Sequence, residues 1–184
     1  MPDESELVRR AKEHDKEAFA ALYESHFDRV YRYVYLKMGN QNDAEDVTQT
    51  VFIKAMEKIH TYKDQGAPFA AWLFRIAHNQ LIDLARKNKK RRHEEIDPNF
   101  ASDEEGPGEY AEKQFEIDRM VAATGQLTPS QREVLSLRFT GGLSIAEAAK
   151  LMGKSEGAIK ALQHSAVIAL RKLMTVSHGE TATI

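Results

Sequence analysis

The sequence predicts an all-α protein: two small helical domains joined by a flexible acidic linker. Three observations predict it. Apolar residues recur three and four positions apart in both halves, the spacing of amphipathic helices. That periodicity stops at His93, where DPNFASDEEGPGEY brings proline, glycine and clustered acids. Such a stretch buries too little surface to offset its ordering entropy. The chain has 184 residues, 42% hydrophobic and 29% charged, enough for two small cores.

The first segment, Glu4 to His14, reads as a short helix with Leu7, Val8 and Ala11 on one side. Asp15 is placed to cap the next helix by accepting from free backbone N–H groups. That helix carries Ala18, Phe19, Leu22, Phe27, Val30, Tyr31, Val34, Tyr35 and Met38. Its tyrosines are expected at the core edge, ring inward and hydroxyl at the surface. Gly39-Asn40 stops it. Asn42 is expected to cap a third helix, with Glu45 completing a capping box. Asp43, Glu45 and Asp46 then put negative charge at the positive end of the helix dipole. Val47, Val51, Phe52, Ala55, Met56 and Ile59 form the expected buried face. Asp46, Gln49, Ile53 and Glu57 fall opposite, where Ile53 is an apolar side chain among polar ones.

Thr61 to Pro68, TYKDQGAP, is a turn-rich loop. The helix after it, Phe69 to Arg92, organises the first domain. Phe69, Leu73, Ile76, Ala77, Leu81, Leu84 and Ala85 form its apolar stripe, and Arg75, Asn79, Asp83, Arg86, Lys87 and Lys90 its opposite face. It ends in the basic run Arg86 to Arg92, followed by ten acids between Glu94 and Asp118. The net charge of -2 conceals this asymmetry.

The second half is tightly punctuated. Thr128-Pro129-Ser130-Gln131 combines an N-cap, a first-turn proline and a capping-box glutamine. That helix is expected to reach Phe139 and to end at Gly141-Gly142. Ser144 and Glu147 form a second box, with Ile145, Ala146, Ala149 and Met152 expected inward and Gly153 closing the helix. Ser155 caps a last helix whose Ile159, Leu162, Ala166, Ala169, Leu170 and Leu173 face the core. Two helices around a short glycine turn make a helix-turn-helix, whose second helix enters the DNA major groove. Its outward positions are Glu156, Lys160, Ala161, Gln163, His164 and Val167, with Ser165 at the margin. The polar tail from Thr175 to Ile184 is expected to be disordered.

Several chemistries are not supported. The chain has no cysteine, which excludes disulfides and thiolate metal sites. The seven histidines are scattered, with no metal-ligand spacing, phosphate-binding glycine loop or nucleophile signature. No enzyme activity, cofactor or metal is expected. The polar start MPDESELVRR lacks a signal-peptide core, and no apolar run spans a bilayer, so a cytoplasmic protein without membrane insertion is expected.

The segments AFAALYESHFDRVYRYV, DAEDVTQTVFIKAM and FAAWLFRIAHNQLIDLARKNKKRR resemble region 2 of the extracytoplasmic-function (ECF) group of bacterial sigma factors. LTPSQREVLSLRFTGGLSIAEAAKLMGKSEGAIKAL resembles region 4 of the same group. The patterns D-A-E-D-V-x-Q-x-V-F and W-L-x-R-I-A-x-N-x-x-x-D are specific when found together in this order. The resemblance implies region 2 in residues 1–93, a linker over 94–112, region 4 in 113–175 and a disordered tail over 176–184.

It also implies roles. Asp43, Glu45, Asp46, Gln49 and Ile53 would dock on core RNA polymerase. Tyr62, Lys63, Asp64, Trp72, Arg75, Asn79, Asp83, Arg86, Lys87 and Lys90 would read and melt the −10 element, holding its single-stranded non-template strand. Ser155, Glu156, Lys160, Ala161, Gln163, His164 and Ser165 would meet the −35 element as duplex. An anti-sigma factor is implied as a further partner. Family members often carry several arginines along the last helix; Ala161, Ser165 and Val167 stand there in this chain, leaving the −35 base contacts open. The alternative reading is a stand-alone helix-turn-helix regulator on duplex operator DNA. It accounts for Ser144 to Met174 and not for the Asp43–Met56 surface.

Overall fold

The structure is a computed structural model that describes residues 3–63, 67–94 and 121–179. Side chains are described to residue 88 in the fourth helix and to residue 174 in the last. The linker over 95–112, Asp64, the Lys90 side chain and tail residues 180–184 lie outside the described residues.

The first domain contains α1 (Glu4–Lys12), α2 (Lys16–Met38), α3 (Gln41–Lys58), a 3-10 turn (Ile59–Thr61) and α4 (Phe69–Glu94). The second contains α5 (described over 121–125), α6 (Pro129–Leu135) with a π-helical extension (Ser136–Thr140), α7 (Ile145–Met152) and α8 (Glu156–Gly179). Among the described residues there is no strand, and no helix is long and apolar enough to cross a membrane.

Each start and stop has a local cause. Asp15 accepts from the N–H groups of Glu17 and Ala18, and its pairing with Arg10 at 2.7 Å ties α2 to the end of α1. Gly39 adopts φ 70°, the left-handed C-cap that favours glycine. Asn40 then caps α3 by accepting from Asp43 N–H at 2.9 Å. The cap is thus two residues earlier than the expected Asn42, because the chain leaves Gly39 already extended at Asn40 and re-enters the helix at once. Both expected boxes in the second domain are present, Thr128 with Gln131 and Ser144 with Glu147.

α2 packs against α1, α3 and α4, and α6 and α7 pack on α8. Leu22, Val30, Tyr33, Val34, Val51, Leu73 and Phe74 fill the first domain and Val134, Leu137, Ala148 and Ile159 the second. Four expectations change. Tyr33 is fully buried rather than at the core edge, since α6 covers its hydroxyl end. Met56 is 55% exposed, because the buried stripe of α3 runs Val47, Val51, Phe52, Ala55 and leaves Met56 on the Ile53 side. Ala146 is exposed, and Ala148 and Ala149 are the buried alanines of α7. α8 continues helical to Gly179 with no glycine or proline between Ala158 and that point. Residues 176–179 are therefore helical rather than tail.

Candidate functional site

On α3, Asp43, Asp46, Gln49 and Ile53 are exposed and Glu45 is half-buried, accepting from Gln41 Nε2 at 3.2 Å. Asp46, Gln49, Ile53 and Met56 follow i, i+3, i+7, i+10, one continuous stripe of the helix. Ile53 is 54% exposed beside Met56, so the stripe carries an apolar pair rather than one stray side chain. The helix is anchored from below by Phe52, whose ring lies 4.7 Å from that of Tyr23. Lys54 Nζ donates to Gln80 Oε1, joining α3 to α4.

On α4, Arg75, Asn79, Asp83, Arg86 and Lys87 are exposed on one side. Arg86 stands 3.9 Å from Asp83 with both side chains in solvent, so the pair leaves the guanidinium available. The start of α4 is an aromatic cluster. Trp72 is half-buried, 5.5 Å from Phe69 and 5.6 Å from Tyr62 by ring centroid. Tyr62 is buried rather than outward, its hydroxyl donating to Ala67 O at 2.8 Å. It closes the loop that Lys63 leaves exposed. Its ring packs against Phe69 and Trp72 with Lys12 Nζ 5.4 Å from its centroid, which is why a residue expected to meet DNA is inside.

On α8, Ser155, Glu156, Lys160, Ala161, His164 and Ser165 are exposed. Ser155 accepts from Ala158 N–H at 3.2 Å and so works as the cap. Gln163 is half-buried, and its Oε1 accepts from Arg138 Nε at 2.9 Å. Arg138 also donates to Leu143 O. Gln163 therefore braces the domain instead of pointing outward with Lys160 and His164. Ser165 Oγ donates to Leu162 O and accepts from Gln131 Nε2.

A second cluster joins the two domains, and the sequence reading missed it. The Glu133 side chain on α6 is only 8% exposed. Tyr33 donates to its Oε1 at 2.8 Å, His78 Nδ1 lies 3.0 Å from the same oxygen, and Lys37 pairs with Oε2. An ionised carboxylate only accepts, so His78 Nδ1 carries the hydrogen in this contact. Burial alone would push Glu133 up; the His78 hydrogen bond, the Lys37 charge and the Tyr33 donor outweigh it and hold the carboxyl at about 2. Burial first, then Glu133, pushes the Tyr33 hydroxyl well above its ordinary value. The sequence carries one sign of this: Glu133 lies one turn before Leu137, on the apolar stripe of its own helix.

No group of three or more histidines and carboxylates among the described residues could hold a metal. The exposed surfaces instead offer an apolar stripe with acids, a row of cations and amides, and a second-helix face of a helix-turn-helix.

Known proteins share this layout. The family description "Sigma-70 region 2" matches residues 22–91, and "Sigma-70, region 4" matches residues 124–172. The chain is 39% identical over 173 residues to the ECF RNA polymerase sigma factor BldN of Streptomyces coelicolor, covering 92% of this chain and 65% of that protein. It is 31% identical to the ECF RNA polymerase sigma factor SigX of Bacillus subtilis, covering 90% of this chain and 88% of that one. Among solved structures, CnrH in complex with the cytosolic domain of CnrY matches with a TM-score of 0.66 at 26% identity, over 92% of this chain and 96% of that one. With both regions in order and relatives of this identity over nearly the whole chain, the protein belongs to the ECF group of RNA polymerase sigma factors.

Proposed function

We propose that this chain is an alternative sigma factor that binds core RNA polymerase in the cytoplasm, recognises the −10 and −35 elements of a promoter and starts transcription of a specific regulon. Residues 1–93 serve as region 2 and 113–175 as region 4. The α3 stripe of Asp46, Gln49 and Ile53, with Met56, docks on core polymerase, and Asp43 and Glu45 flank it. The α4 face of Arg75, Asn79, Arg86 and Lys87 follows the −10 non-template strand. Lys160 and His164 on α8 meet the −35 duplex. No residue performs covalent chemistry. Opening the duplex is offset by phosphate contacts and by capture of unstacked bases. An anti-sigma factor is the expected restraint, as the CnrH–CnrY complex illustrates for that protein.

The observation that carries this reading is the exposed Ile53–Met56 pair within an acidic and amide stripe. A regulator that only grips operator DNA has no use for it. The test is transcription from a linear promoter with purified core. Ile53→Asp and Asp46→Arg should abolish core association and transcript while circular dichroism stays helical. Tight binding of a defined operator by the free protein, untouched by these changes, would replace the sigma reading with the simple regulator.

A further inference from the structure

We propose that α1 is a positioning element for −10 recognition: its two ends grip the aromatic cluster at the start of α4, and Lys12 is the positioning residue that holds the Tyr62 ring. The inference rests on the sigma-factor reading. It adds to that reading a helix, Glu4–Lys12, that supplies none of the residues proposed to meet core or DNA.

The start of α1 is anchored at His26 on α2. The His26 side chain is 3% exposed, and its Nε2 lies 2.9 Å from Glu4 Oε2. Its Nδ1 is buried with no hydrogen-bond partner among the described residues. Burial outweighs the Glu4 charge and pushes the imidazole below its ordinary value, so the neutral ring donates from Nε2 to the carboxylate. Glu4 is thus what satisfies a buried ring that has little else to bond. The same imidazole packs 5.5 Å from the ring of Phe69, the first residue of α4.

The end of α1 is fixed by a strained turn. His14 adopts φ 67°, a conformation that residues other than glycine seldom take. Asp15 N–H donates to Arg10 O at 3.1 Å, and the Arg10 guanidinium pairs with the Asp15 carboxylate at 2.7 Å. Such strain persists only where the surrounding structure holds it in place. Here it turns the chain sharply from α1 into α2, while Val8 and Ala11 are buried and the helix packs on the 3-10 turn before Tyr62. Lys12 Nζ then lies 5.4 Å from the Tyr62 ring centroid, the reach of a cation on an aromatic ring.

These contacts close a circuit. Glu4 meets His26, His26 meets Phe69, Phe69 meets Tyr62 edge-on at 5.7 Å, and Tyr62 meets Lys12. Tyr62 is its link to the −10 face. The Tyr62 hydroxyl donates to Ala67 O at 2.8 Å, and its ring lies 5.6 Å from that of Trp72. A shift of the Tyr62 ring therefore carries the backbone on both sides of the loop and the indole beside it. Lys12 is half-buried against the ring, whereas Lys63 next to Tyr62 is exposed. Lys63 is the cation that faces the strand, and Lys12 acts on the strand through Tyr62.

The test uses the full chain, purified core and the promoter from which the unmodified protein directs a transcript. Lys12→Ala should lower the permanganate reactivity of unpaired thymines about fivefold, the scale of losing a cation from a ring. Lys12→Arg should restore it, because a guanidinium also sits over a ring. Lys12→Met keeps the stem without the charge and should not restore it. Core association, −35 duplex binding and circular dichroism should match the unmodified protein in all three, which a merely structural loss would not allow. Glu4→Ala, at the other end of the helix, should reproduce the opening defect. Unchanged opening in both Lys12→Ala and Glu4→Ala, or full opening with Lys12→Met, overturns the positioning role. So does a salt dependence of open-complex formation that falls by about one phosphate contact in Lys12→Ala, since Lys12 would then grip the strand itself. Failure of the unmodified protein to direct a transcript with core would instead overturn the sigma reading.

Discussion

The Tyr33 hydroxyl donates to Glu133 Oε1 at 2.8 Å, joining side chains one hundred positions apart, one from each domain. The Tyr33 ring also packs edge-on against Phe74 at 5.3 Å. Tyr33→Phe keeps the ring and removes only the donor. The variant should lose about 1–2 kcal/mol, the cost of a buried charged acceptor deprived of one partner. Urea unfolding followed by circular dichroism checks this. A loss below the measurement error would show that Lys37 and His78 satisfy the carboxylate without Tyr33.

Acid should weaken the domain contact. The Glu133 carboxyl is lowered from 4.5 to about 2 in the fold. A depressed carboxyl contributes stability that is fully present above its unfolded value and is lost as pH falls through its folded value. Burial pushes the Tyr33 hydroxyl well above its ordinary value, so Tyr33 remains a donor throughout that range while Glu133 changes. Energy transfer between dyes on Glu24→Cys and Gln126→Cys, one exposed position in each domain of a chain with no cysteine of its own, should hold from pH 7 to about 5 and decline between about 4.5 and 2. Glu133→Gln should lack this component of the decline. An identical acid profile in the variant would assign the transition to other carboxylates.

Met56 is exposed beside Ile53 on the α3 face proposed to dock on core polymerase, although its sequence position suggested the core. Met56→Asp should weaken core binding at least tenfold with no loss of helicity, since its side chain is already in water. Surface plasmon resonance against immobilised core measures it. Unchanged binding by Met56→Asp would confine the stripe to Asp46, Gln49 and Ile53.

The α8 residues should separate into DNA readers and a brace. Lys160→Ala should weaken −35 duplex binding and reduce its salt dependence, as loss of a phosphate contact does. Gln163→Ala should instead cost about 1 kcal/mol of stability, because it deprives Arg138 of an acceptor. Fluorescence anisotropy with a −35 duplex and thermal unfolding distinguish the two. If Gln163→Ala lowers duplex affinity as much as Lys160→Ala with unchanged stability, Gln163 reads DNA after all.

Promoter opening should depend on α4 and not on α8. Asn79→Ala and Arg86→Ala should preserve −35 duplex binding and reduce the permanganate reactivity of unpaired thymines with core present. Both side chains are exposed, so folding is not at issue. A shared defect in the Asn79 and Lys160 variants would end this division of labour.

Local chemistry determined the helices, most of their ends and the two regions. Asp15, Thr128, Ser144 and Ser155 each accept from the N–H groups of the turn that follows them, a relationship spanning two or three residues and therefore visible in the chain. The outward faces of α3 and α4 were legible for the same reason, since helical spacing alone separates Ile53 and Asn79 from the buried stripe. Tertiary structure decided what lies on the border of a stripe. Met56 and Ala146 are turned out, and Tyr62 and Gln163 are drawn in, by which neighbours each helix meets. It also decided the fate of Glu133. Periodicity reports that this acid shares a face with Leu137, but its partners come from α2 and α4, across more than fifty positions of chain. A carboxylate's burial is tolerable only where donors converge on it, and that convergence is a property of the packed domains.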